Sequence, residues 1–257
     1  MLFLLSAWPS GAQSRRLTAQ LQQNGARQET RHAILYFDPG SLDSQEFQGF
    51  AALVEQGIAD IARFMDVPIQ RDHWPRGKIE YFISAEVGMA SAHTHTVFLP
   101  LERVRNRSAP YLHETAHILL PGRTRSLWLS EGLACYVQSA VAEKFGGYDG
   151  HIFTTAGNDR IDAEAVRFLG AENGPEILNF IAGPGRPRGL NWDRTRVAAP
   201  LYVMSHSFVK FLAGRVGLAK VKQLLEFEHA ESAMETLTGT GAETWRRAWL
   251  DQLGSRP

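Results

Sequence analysis

The chain has 257 residues, 44% of them hydrophobic and 21% charged, enough for one large domain or two small lobes around a cleft. Its 27 basic residues equal its 27 acidic ones, so charge supplies no attraction to nucleic acid or to an anionic membrane. The single cysteine, Cys135, excludes an intramolecular disulfide and an all-cysteine metal site.

Met1 to Trp8 form a short apolar run, followed by the small residues Ser10, Gly11 and Ala12. No positive segment precedes the run, and it is far shorter than the roughly 20 residues that cross a bilayer. It is read as the tail of a secretory signal whose start lies upstream. A periplasmic or secreted location is expected, with the cytoplasm as the alternative. No other segment is apolar and long enough for stable membrane insertion.

Residues 13–31 are polar, rich in Gln and Arg, and expected to form a flexible lead-in. A β-rich run from His32 to Phe37 meets the turn signal Asp38-Pro39-Gly40. Phe47, Phe50, Ala51, Val54, Ile58, Ile61, Ala62 and Met65 recur every three or four residues, which predicts one helix face, and Pro68 closes it. Lys78 to Ile83 alternates like a half-buried strand. Thr94 to Leu99 reads as a second strand, closed by Pro100. Beyond Ser108 the pattern is helical, near 109–119, 127–144, 162–169, 199–214, 217–227 and 242–253. The Gly- and Pro-rich stretch 183–189 can only be a loop.

Strands with one helix come first and helices follow. That order predicts an α+β fold, with a sheet lobe over 32–120 and a helical lobe over 121–257 after the 1–31 leader.

The chemistry concentrates at His113-Glu114-Thr115-Ala116-His117. Histidines four apart on a helix share a face one turn from each other, so both imidazoles can reach one ion. Zinc suits neutral nitrogen ligands. The glutamate beside the first histidine can take a proton from an attacking water and give it to a leaving amine. Ser108 is a candidate cap for this helix, and Pro110 is tolerated in its first turn.

A catalytic zinc needs a third protein ligand and one open position. Trp128-Leu129-Ser130-Glu131-Gly132-Leu133-Ala134 supplies the candidate. It begins a helix after a short loop, with Ser126 as a possible cap, and an antiparallel return can bring Glu131 to the two histidines. Gly132 would let those two helices approach closely. A metzincin would instead require a third histidine soon after His117, and Ile118 to Arg123 contains none.

Together the two strings resemble the gluzincin metallopeptidases. Within that group they are most similar to small bacterial proteins with a peptidase MA-like domain, related to thermolysin and aminopeptidase N. The resemblance implies a zincin-like fold: a small mixed sheet with the active-site helix packed on it, and a helical lobe. It implies one Zn2+ per chain on His113, His117 and Glu131, with Glu114 as base. Weaker matches are the Tyr202 to Leu212 helix and the ending Trp245-Arg246-Arg247-Ala248-Trp249.

The chain departs from the larger enzymes in three ways. Only thirteen residues separate His117 from Glu131, Cys135 stands where a carboxylate would support the site, and no Gly-x-Met-Glu-Asn motif is present.

Tyr202 and His206 share a helix face at i,i+4, and either could donate a hydrogen bond to an oxyanion. The resemblance also implies that the Thr94–Leu99 strand binds extended peptide at a sheet edge. His93 and His95 are expected on one face of that strand, as plain exposed residues. Cys135 is expected to pack as a small apolar group.

The expected activity is hydrolysis of peptide bonds in a peptide or protein substrate. The alternatives are a zincin-fold binding protein with little turnover and an amide hydrolase acting on other substrates. The sequence leaves the oligomeric state open.

Overall fold

The first half of the chain forms β1 (Ala26–Glu29), β2 (Ala33–Phe37), β3 (Ile79–Ser84), β4 (Ser91–His93) and β5 (Thr96–Pro100), of which β2, β3 and β5 are runs rich in β-branched and aromatic residues. They belong to a computed structural model that describes residues 11–69, 72, 74–120, 122–142, 157–183 and 197–254. The strands make one mixed sheet in the order β1-β2-β3-β5-β4. β2, β3 and β5 run parallel, and the outer strands β1 and β4 pair antiparallel to their neighbours.

Among the described residues the chain forms two compact units. One runs to Leu119 and includes Val141 and Ala142; the other holds Leu120–Ala140 and everything from Gly157 onward.

In the first unit, every residue of β2 and β3 is buried, so both sheet faces are covered, as is usual for parallel strands. Helix α2 (Ser44–Met65) lies against β1 and β2. It starts with a capping box, in which Asp43 accepts from Gln45 and Glu46 while Glu46 returns to the Asp43 amide. Helix α3 (Leu101–Arg105) leads from β5 toward α4 (Tyr111–Leu119), which packs on α2, β4 and β5. Gly57 permits that packing: a Cβ there would stand 2.7 Å from Leu112 and 3.0 Å from Tyr111.

The other sheet face carries α1 (Gly11–Asn24). Residues 13–31 are thus not a flexible lead-in. Leu17 and Leu21, one turn apart, insert among Ile34, Tyr36, Phe82, Val87 and Phe98, and β1 continues the sheet. Cover from α1 also makes β3 buried on both faces rather than half-buried. The apolar run over residues 1–10 lies outside the described residues.

The expected strand over 94–99 is interrupted. Thr94 and His95 form the turn of the β4–β5 hairpin, and Thr94 adopts a left-handed backbone with φ 55. His93 therefore ends β4 and His95 sits in the turn, so the two do not share a strand face. The edge strand is β4, with β5 inside it.

In the second unit, α5 (Leu127–Ala142, in this unit as far as Ala140), α6 (Ile161–Leu169), α7 (Gly174–Leu178), α8 (Ala199–Val216), α9 (Leu218–Gln223), α10 (Ala230–Thr238) and α11 (Ala242–Gly254) follow in order. The helix expected over 217–227 is α9 followed by a 3-10 turn, Leu224–Glu226. Of the 183–189 loop, only Gly183 is described.

The buried side of α8 organises this unit. Phe208 meets Trp128 at 5.3 Å and Trp249 at 5.5 Å. Trp249 Nε1 donates to Ser207 Oγ at 3.0 Å, Ser207 donates to Asp162 at 2.7 Å, and Lys210 closes on the same carboxylate at 2.9 Å. These partners satisfy a buried charge that would be costly alone. No helix among the described residues is long and apolar enough to cross a membrane.

Candidate metal centre

Helix α4 is anchored from both sides of the string it carries. Its first backbone bond runs from the Glu114 amide to the Pro110 carbonyl at 3.1 Å. Ser108 does not cap it; the Ser108 hydroxyl turns back to the Arg103 carbonyl at 3.4 Å. Thr115, between the two histidines, accepts a 2.7 Å bond from the Tyr81 hydroxyl of β3 and donates to the Tyr111 carbonyl at 2.5 Å. Burial pushes the Tyr81 phenol well above its ordinary range, so it stays a neutral hydrogen-bonding group. This tie sets the rotation of α4 on the sheet and hence the direction of both imidazoles.

His113 is 1% exposed, Glu114 4% exposed and His117 half-buried. The two Nε2 atoms stand 3.1 Å apart, with ring centroids at 4.7 Å and planes at 83°. Nitrogens about 2.0–2.1 Å from a tetrahedral zinc stand roughly 3.3 Å from each other, so the pair has the separation a shared ion requires.

Glu131 lies in the second turn of α5 and is half-buried. The start of α5 is held by the loop before it. Arg123 and Thr124 donate to the Leu225 carbonyl at 2.8 and 3.1 Å, and Arg125 donates to the Glu228 carbonyl at 2.8 Å. The Ser126 carbonyl accepts from Leu129 and Ser130, as an N-cap carbonyl does. Its hydroxyl, however, goes to Glu231 at 2.5 Å and receives the Ala230 amide at 3.0 Å. Ser126 therefore ties α5 to α10 instead of capping with its side chain. Gly132 makes its close approach to α8: a Cβ there would stand 2.6 Å from the Ser205 carbonyl oxygen.

One ligand atom from each of His113, His117 and Glu131 lies within 4.8 Å of the others, and no second such group of His, Cys, Asp or Glu occurs among the described residues. Two imidazoles and one carboxylate form a donor set suited to zinc with one position open.

Tyr202 and His206 are on α8, half-buried and buried respectively. They flank Ser205, the residue against which Gly132 packs. His206 Nε2 is 2.7 Å from Asn158 Oδ1, and its ring lies 6.3 Å from that of Tyr136. Burial raises the Tyr136 phenol above its usual value. Asn158 escapes a reading of the sequence, since it stands 48 residues from its partner in a segment without a pattern. Cys135 lies within α5 at intermediate burial, so it is only partly packed as the small apolar group expected. His73 and His151 lie outside the described residues.

No protein-family model matches the sequence, and no curated protein matches it either. Solved structures do. An M1 zinc metallopeptidase variant from Deinococcus radiodurans, bound to a Tyr-Ser-Ala substrate, aligns with a TM-score of 0.52 at 18% identity, over 91% of this chain and 53% of that one. A second variant structure from the same organism gives 0.49 at 18% identity, over 91% and 53%. A two-domain M1 zinc metallopeptidase variant bound to L-tryptophan gives 0.49 at 19%, over 88% and 50%. The first of these shows a fold similar to that of a zinc metallopeptidase. The chain spans about half the length of the structures it matches.

Proposed function

We propose that this chain is a zinc-dependent peptidase, with zinc held by His113, His117 and Glu131. The observation that carries the reading is the grouping of these three donors beside Glu114, a carboxyl group almost excluded from water. Zinc, when bound, would polarise the scissile carbonyl and acidify the attacking water. Glu114 holds the proton taken from that water on its carboxylate and delivers it to the leaving amine. Tyr202 or His206 donates a hydrogen bond to the oxyanion that develops on the substrate. A peptide as substrate is supported by the tripeptide carried by the similar peptidase.

The test is Glu114→Gln. The amide keeps the shape of the side chain but cannot accept a proton. The purified protein is expected to hold one zinc per chain in both forms, and the variant should lose on the order of 10²–10⁴-fold in peptide hydrolysis. The loss should fall on kcat. Undiminished cleavage by the variant at matched zinc content would reject Glu114 as the base. Zinc without cleavage in the wild type would favour a binding protein built on the same site.

A further inference from the structure

A cavity of about 640 Å³ opens on the sheet face that α1 covers, lined by Gln22, Arg27, Tyr36, Pro75, Arg76 and Glu80. It is on the face opposite to α4. Tyr81 sends its hydroxyl to Thr115 of α4, and side chains alternate along a strand, so Glu80 points the other way. All these residues lie in the first unit, and the inference does not depend on the peptidase reading.

Glu80 is the unusual member. Its carboxylate sits on a central strand and the residue is only 7% exposed. The Tyr36 hydroxyl and the Gln22 amide each stand 3.4 Å from Oε1, and His95 Nε2 is 3.8 Å from Oε2. Good bonds to a carboxylate are shorter, about 2.5–2.9 Å. All three neighbours stand back, which among the described residues leaves the floor of the cavity short of a close donor.

Arg27 and Arg76 are exposed residues of the same lining. Arg27 is paired with Glu29, which also receives Lys78 at 2.7 Å. Arg76 is held in a left-handed backbone, φ 56, within the turn Pro75–Gly77. Tyr36 forms a rigid wall, stacked on Phe82 at 5.0 Å.

A cavity lined by a buried carboxyl group and by two guanidinium groups selects by charge. A simple cation meets repulsion from the arginines, and a simple anion meets repulsion from Glu80. A metal ion is disfavoured because Glu80 belongs to no group of three or more His, Cys, Asp or Glu ligands among the described residues. We propose that this cavity binds a small zwitterion of the α-amino acid class. Its ammonium group bonds to Glu80 and Tyr36, its carboxylate bonds to Arg27 and Arg76, and its side chain lies against Tyr36 and Pro75.

The test uses the full chain freed of metal by a chelator, so that binding at His113 and His117 does not enter the readout. It is titrated calorimetrically with L-leucine, leucinamide and N-acetyl-leucine. L-leucine should saturate the protein with a Kd on the order of 1 mM or tighter. The other two compounds each lack one charge and should bind at least about tenfold more weakly. Glu80→Gln and Arg76→Asn should each weaken L-leucine by about tenfold or more. Asn tolerates the left-handed backbone at position 76, so that variant keeps the turn even if Glu80→Gln disturbs the sheet. No saturation by L-leucine, leucinamide binding as tightly as L-leucine, or an isotherm unchanged by Arg76→Asn would each overturn the proposal.

Discussion

His206 and Tyr202 are one helical turn apart, yet their surroundings differ. The Nε2 of His206 is 2.7 Å from the Asn158 oxygen, a bond that uses this nitrogen as a donor. A group already donating to a fixed neighbour must break that bond before it can serve a developing oxyanion. His206 is also only 1% exposed, whereas Tyr202 is half-buried, so under the proposed chemistry the phenol of Tyr202 is the more accessible donor. Tyr202→Phe should lower kcat by on the order of 10²–10³-fold with little change in KM, and His206→Gln should cost less. Steady-state kinetics at matched zinc content checks the order, and a larger kcat loss in the His206 variant would reverse it.

A second residue-scale effect concerns Glu55, which receives Thr30 Oγ1 at 2.6 Å, the His32 amide at 2.9 Å and His32 Nδ1 at 2.5 Å. Burial pushes its pKa up, but these bonds outweigh burial and hold it below its usual 4.5. A lowered carboxyl pKa contributes stability that is present above about pH 4.5 and lost as pH falls through the folded value. Glu55→Gln should therefore cost about 1–2 kcal/mol near neutral pH. The gap from wild type should close below pH 4.5 in denaturant titrations.

Among the elements, α8 offers a paired experiment. Gly132 of α5 lies so near the Ser205 carbonyl that a methyl group would overlap it at 2.6 Å, whereas Gly214 near the end of α8 has nothing within 4 Å. Gly132→Ala should destabilise by about 1–3 kcal/mol through overpacking. Gly214→Ala should stabilise by about 0.5–1 kcal/mol, the backbone-entropy gain of Ala in a helix. Thermal melts of the two variants should move in opposite directions.

The same comparison shows what is legible from sequence. α4 and α5 are legible because chemical spacing and hydrophobic flanks coincide on a helical period. α1 is not, because among its described residues Leu17 and Leu21 alone are buried, within an otherwise polar helix. The Thr94–His95 turn carries no Gly, Asn or Pro to mark it. The role of Ser126 depends on Glu231, 105 residues away, a distance at which no local pattern operates. Of the candidate site, the donor residues are visible in the two strings; their supports at Tyr81, Asn158 and Glu231 emerge only when the chain is folded.

For the molecule as a whole, a ligand that binds only the folded chain adds to its stability. Zinc held by two residues of α4 and one of α5 should raise the melting temperature, with a gain of about 2.7 kcal/mol at a free concentration one hundred times Kd. A chelator should remove the gain, and His117→Ala should abolish it. A melting curve indifferent to both zinc and chelator would argue against the metal site. The clamp on the loop before α5 bears on how such a site comes into being during synthesis. The two histidines leave the ribosome about a hundred residues before Leu225, Glu228 and Glu231, which fix the approach to Glu131. Until that later segment emerges, a nascent chain presents an imidazole pair without a settled third donor, so under the proposed chemistry selection of zinc over other cations waits until residues 225–231 have been made.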